Sequence, residues 1–202
     1  MISLPLVYTI LALVAYTSSF WYLFIRLMSK RTPNLWCYSI MIGLGLLLHS
    51  TVLYQNMMTP IGVNYDVFNL MSFTSGLMLA LSLILSFIRP ILPLNLIGTP
   101  VAVIGLILGY AFSQPNQVIE QHSLGLDLHI ILSLSAYAVL LMATIHSVLL
   151  WFQDRELKKK QKRRIWVNLL PPFQVMESVL FDLIITGFGL LTAALLFGFF
   201  TI

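Results

Sequence analysis

The chain has 202 residues, of which 59% are hydrophobic and only 9% charged, and its net charge is +4. A water-soluble domain carries about 25% charged residues, so this chain lacks the polar surface to cover a globule in water. Its basic residues are confined to short connections between apolar runs, which reports membrane topology and excludes a nucleic-acid surface.

Apolar stretches of about 20 residues cross a hydrocarbon core of about 30 Å as helices. Six are predicted, over Leu4–Arg26, Leu35–Gln55, Asp66–Ile88, Ile91–Phe112, Ser123–Phe152 and Phe173–Thr201. The fold class is therefore all-α, a polytopic membrane helix bundle. The first run has no basic residue ahead of it and no A-x-A cleavage site, so it reads as a retained helix and not a signal peptide.

In the second helix His49 lies about 9 Å from the nearer end at 1.5 Å per residue, with Gly45, Tyr38 and Asn56 on its side of the wheel. An ionisable residue at that depth faces the bundle interior and is a functional candidate by default. In the third helix Asn69, Ser72 and Gly76 fall on one face, where small and polar residues form a packing seam. Arg89 and Pro90 make the tightest connection, and Gly98 and Pro100 interrupt the fourth helix.

The fifth helix opens LDLHIILSLSAYAVL. His129, Ser133, Ala136, Tyr137, Thr144 and Ser147 share a stripe that predicts a face turned to protein or a cavity, with Asp127 as a potential orienting partner of the imidazole. His122 joins that stripe if the helix starts early, and His146 sits about 100° off it as a structural residue. The basic connection DRELKKKQKRR leads to IWVNLLPPF, an interfacial segment before Pro171 and Pro172 start the last helix, which carries Thr186, Gly187, Gly189 and Thr192 as a further seam.

With residue 1 outside, the inner connections hold Arg26, Lys30, Arg31, Arg89, Arg155, Lys158, Lys159, Lys160, Lys162, Arg163 and Arg164, which are all eleven Lys and Arg residues. The outer loops hold none, and this asymmetry places both termini outside. Trp21, Trp36, Trp151 and Trp166 all fall near inner helix ends, as interfacial indoles do. Cys37 is the only cysteine, which excludes a disulfide framework, a CxxC pair and a thiolate zinc site. No HExxH, Ser/His/Asp or phosphate-loop motif is present, so histidine is the ligand or relay residue to consider, for haem iron or for protons.

Three stretches carry a resemblance to the membrane proteins of cytochrome c assembly. LHIILSLSAYAVLL places His129 ahead of Ser133, Ser135 and Tyr137; LLPPFQVMESVLFDLIITGFGLLTAALLFG carries Pro171, Pro172, Glu177, Gly187, Phe188, Leu191, Thr192 and Gly198; and GLLLHSTVLY, with His49, is followed by NYDVFNLMSF. The compact form is most similar to the short HemX-like, YpjD-type proteins of the bacterial inner membrane. The resemblance implies haem binding at the periplasmic face, with His129 as an axial ligand to iron; His49, His122, Ser133 and Tyr137 are the further candidates to contact the cofactor. Transfer to an apocytochrome would need other cytochrome c assembly subunits, so an enzyme activity of this chain alone is not implied.

Two departures from the haem-handling relatives are visible. Their tryptophan-rich outer loop with a Trp-Asp pair has no counterpart, so the expectation is one transmembrane domain over residues 1–202 without the family's last helices. Ser178 and Asp182 also replace basic residues common at the start of the final helix. The alternatives are a regulatory or scaffold protein linked to tetrapyrrole synthesis, and a transporter with a polar path through His49 and Asn69.

Overall fold

A computed structural model describes residues 4–60, 62–114, 118–119, 124–158 and 169–201. Six long helices, α1 (Leu4–Met28), α2 (Leu35–Met57), α3 (Val67–Ile88), α4 (Asn95–Phe112), α5 (Leu124–Leu157) and α6 (Phe173–Thr201), account for almost all of it. Each is long and apolar enough to span a bilayer. The chain is a multi-pass membrane protein, and its many exposed Leu, Ile and Phe side chains face acyl chains.

Local chemistry sets the helix ends. α1 stops in a Schellman turn: Arg31 N–H donates to the Arg26 carbonyl and Lys30 N–H to that of Leu27, with Lys30 held at φ 52°. Asn34 then caps α2, its side chain accepting from the N–H groups of Trp36 and Cys37. Asp66 caps α3 in the same way through Phe68 N–H. α4 continues through Pro100, so the predicted interruption there does not break the helix. α5 runs five residues beyond its predicted end, because Asp154 and Lys158 form an i,i+4 pair at 2.6 Å that suits a helix outside lipid as well as in it.

A three-stranded antiparallel sheet was not foreseen. It consists of β1 (Met58–Thr59), β2 (Gly62–Asn64) and β3 (Val118–Ile119), with Val63 opposite both Met58 and Ile119. It ties the α2–α3 turn to the α4–α5 connection and marks what we call the hairpin end of the bundle. The opposite end, with Arg26, Arg89, Arg155 and Lys158, is the basic end. There Trp36 lies edge-on to Phe87 and Arg155 lies over the Trp151 ring. Asp182 pairs with Arg89 at 3.4 Å, which gives this departure from the family pattern a partner on α3.

The helices form two units. α1–α4 close on one core around Tyr16, Tyr38, Ile42, Leu79 and Leu106. α5 and α6 pair along a narrow seam of Val179, Leu183, Gly187, Ala194 and Gly198. The second unit joins the first through a cluster toward the basic end, where Met78, Ile91 and Leu94 meet Val139, Met142 and Met176. Toward the hairpin end the two units part. A cleft follows.

Candidate functional site

The cleft lies between α2, α3 and α5 and has a volume of about 420 Å³. Leu46, His49 and Leu53 form one wall, Ser72, Gly76 and Ala80 the floor, and Ile130, Ile131 and Leu134 the facing wall. Met58, Val63 and Tyr65 of the hairpin lie over it. A chamber of this size, mostly apolar with few polar groups, is what a small organic ligand requires.

His49 is held in that wall by three helices. The Tyr16 hydroxyl lies 3.1 Å from Nδ1 and the Ser72 hydroxyl 2.9 Å from Nε2, so one ring nitrogen donates and the other accepts. The ring packs on Gly76, where an added Cβ would come within 3.2 Å of Cε1. The expectation of an inward-facing residue on a line with Tyr38 and Gly45 is met, since all three are buried. Both nitrogens are engaged, however, so iron ligation by His49 would cost one of these hydrogen bonds.

His129 is placed differently. It is half-buried against α6, and its Nδ1–H donates to the Ala194 carbonyl at 2.8 Å. A carbonyl only accepts, so the proton sits on Nδ1 and Nε2 carries the lone pair in the neutral ring. The Nδ1 contact is the one hydrogen bond of this ring among the described residues. Gly198 makes the approach possible: a Cβ there would lie 2.8 Å from Nδ1. This is the arrangement typical of metal-ligating histidines, in which a backbone carbonyl fixes the tautomer. The neighbouring Ile130 and Ile131 line the cleft, whereas the His129 ring turns to the α5–α6 seam.

The hydroxyl stripe on α5 requires a correction. Tyr137 is 55% exposed, and Thr144 and Ser147 are exposed too, so this part of the stripe looks outward, while Ala136 is buried. Ser133 is half-buried. The physical reason is that the hydroxyls of Ser135 and Thr144 donate to their own i−4 carbonyls and need no partner helix. The buried face is that of Ala136, Val139, Met142, Ala143 and His146. On α6, Gly187 is in the seam against Leu140, but Gly189 meets open space. His122, Trp166 and the Ile165–Asn168 part of the interfacial segment lie outside the described residues.

Asp127 does not hold the His129 Nδ1 proton. It accepts instead from the Tyr65 hydroxyl at 2.9 Å, joining α5 to the loop before α3. Burial, then the hydrogen bond and negative charge of Asp127, push the Tyr65 phenol up to about 12 from its usual 10.0. The stability linked to the protonated phenol, of which this bond is one part, is therefore complete below pH 10 and disappears as pH climbs through 12. In Asp127→Asn the Tyr65 titration, read as the tyrosinate absorbance missing from a Tyr65→Phe control, is expected to move down toward 10. A wild-type midpoint already at 10 would contradict the contact.

Sequence comparison supplies the identity that geometry alone does not. The sequence matches the model of the cytochrome c assembly protein family over residues 4–200. The chain belongs to the cytochrome c assembly protein family. That membership points to a role in haem-linked cytochrome c maturation. No curated protein and no solved structure matches it. Among the described residues no cluster of three or more His, Cys, Asp or Glu is arranged to hold a bare metal ion. Haem iron makes no such demand, because the porphyrin supplies four of its ligands and the protein one or two.

Proposed function

We propose that this family member binds haem at the hairpin end, on the periplasmic side of a bacterial inner membrane, and presents it to other cytochrome c assembly subunits. The observation that carries the reading is the His129 ring, with Nδ1–H committed to the Ala194 carbonyl and Nε2 left as a lone pair. Haem is the cargo, and its iron takes one axial nitrogen from His129. Tyr65 and Asp127 tie the hairpin to the start of α5, two residues before this histidine. His49 serves as a wall residue fixed by Tyr16 and Ser72. The described basic residues, Arg26, Lys30, Arg31, Arg89, Arg155 and Lys158, all belong to the opposite end, which supports the orientation.

The test is spectroscopic. Protein purified from haem-replete cells is expected to show a Soret band that His129→Ala loses while keeping its thermal transition. A colourless wild-type protein would reject the reading.

A second reading is a regulatory or scaffold protein without cofactor chemistry. It is favoured by His129 lying outside the cleft lining and by the full occupancy of both His49 nitrogens. It predicts no Soret band, with deletion changing tetrapyrrole intermediates and leaving cytochrome c levels alone.

A further inference from the structure

The cluster that joins the two helical units hides a second site, about 25 Å along α5 from His129 at 1.5 Å per residue. His146 of α5 is buried, and its Nδ1–H donates to the Met142 carbonyl one turn back at 2.9 Å. Nε2 must then present a lone pair, and it has no hydrogen-bond partner. A buried acceptor left bare is costly, and native structures almost always satisfy such groups with protein or ordered water.

His146 lines a cavity of about 20 Å³ together with Ser82 of α3, Gly98 of α4, and Met142, Ile145 and Leu149 of α5. A space of about 10–15 Å³ holds one water, provided at least two polar partners line it. Ser82 is the second partner. Its hydroxyl proton is committed to Asn95 Oδ1 at 2.5 Å, so the oxygen's lone pairs are free to accept. Asn95 is fixed in turn, donating from Nδ2 to Ser86 Oγ at 3.3 Å, and Ser86 donates to the Ser82 carbonyl at 2.8 Å. Of the polar side chains that line the cavity, Ser82 has its hydroxyl proton committed to Asn95 and His146 its Nδ1 proton to Met142. The site offers only acceptors, and the guest must be a small double donor.

We propose that a single water molecule binds here, donating one O–H to His146 Nε2 and the other to Ser82 Oγ. The bridge runs from α5 to α3, between the helical unit of α1–α4 and that of α5 and α6. It stands among the apolar side chains that anchor the two units. The water is thus a polar latch at the closed end of the cleft, and losing it loosens the α5–α6 hairpin against α3.

Solid-state NMR on the full chain in lipid bilayers, with ¹⁵N-labelled histidine, tests this directly. The His146 signal is identified by its absence from His146→Leu. In the wild type, magnetisation from water protons is expected to reach Nε2, whose shift is that of a hydrogen-bonded acceptor. Ser82→Ala, confirmed as folded by its thermal transition, is expected to lose most of that transfer. A wild-type Nε2 with the shift of an unbonded nitrogen and no transfer from water would overturn the site, and needs no variant. Transfer that persists undiminished in folded Ser82→Ala would overturn the bridge. The result is independent of whether haem binds.

Discussion

Gly198→Val is expected to weaken haem binding about 10- to 100-fold, the cost usual when the group that orients a metal ligand is disturbed. A Cβ at residue 198 would stand 2.8 Å from His129 Nδ1 and 2.9 Å from Cε1, closer than non-bonded atoms settle. The ring must swing away from α6 and give up the Ala194 carbonyl. With that bond gone, neither tautomer is favoured and the lone pair no longer has a fixed direction. Valine also carries two γ-methyls into a seam built from Ala194 and Gly198, which adds to the displacement. Haem titration followed by absorbance measures the loss. Gly189→Val on the same helix is the control, because its Cβ meets nothing within 4 Å and affinity should stay at the wild-type level. Equal affinities for Gly198→Val and wild type would separate haem binding from the His129 geometry.

The six spans were readable because a bilayer imposes a length and a polarity that few other structures share. Their starts and stops agree with the helices to within a few residues, and the largest miss, at Leu157, has a physical cause. Hydropathy reports where lipid ends, and α5 has its own reasons to continue. The interior position of His49 was readable as well, since Tyr38, Gly45 and Asn69, Ser72, Gly76 mark two faces that must meet. What failed was the face of α5. Hydroxyls in sequence suggest protein contact, but a serine or threonine in a helix satisfies itself on the i−4 carbonyl and is tolerated toward lipid. Ala136, Ala143 and Gly198 were the better guides, being small where two backbones approach. The orphaned nitrogen of His146 was invisible in sequence, because it depends on which groups the neighbouring helices leave uncommitted. The sheet at the hairpin end was missed for a related reason. Two- and three-residue strands such as Gly62–Asn64 are too short to show an alternating pattern.

Gly105→Val is expected to cost the bundle more than any polar substitution discussed above, about 1–3 kcal/mol or beyond, the range for overpacking a site that cannot relax. α3 and α4 approach through Ser75 against Gly105 and Ser72 against Gly109. A Cβ at 105 would run into the Ser75 hydroxyl, come within 2.8 Å of Ser75 Cβ, and reach 3.3 Å from the Met71 carbonyl. A side chain can rotate aside, but a helix carbonyl cannot, so the two helices must separate. In lipid that separation is not resisted by a hydrophobic effect; close contact through small residues is itself the main attraction. The consequence reaches the cleft, because α3 also carries Ser72 and Gly76, the hydroxyl and the flat surface that hold His49. Thermal unfolding in detergent should show a clear drop for Gly105→Val and none for Gly43→Val, whose Cβ would meet nothing within 4 Å. Adding Ser75→Gly removes the opposing Cβ and is expected to recover part of the loss. Recovery of that kind assigns the penalty to the seam, whereas a fall that Ser75→Gly leaves untouched would show that the helices do not meet at this pair.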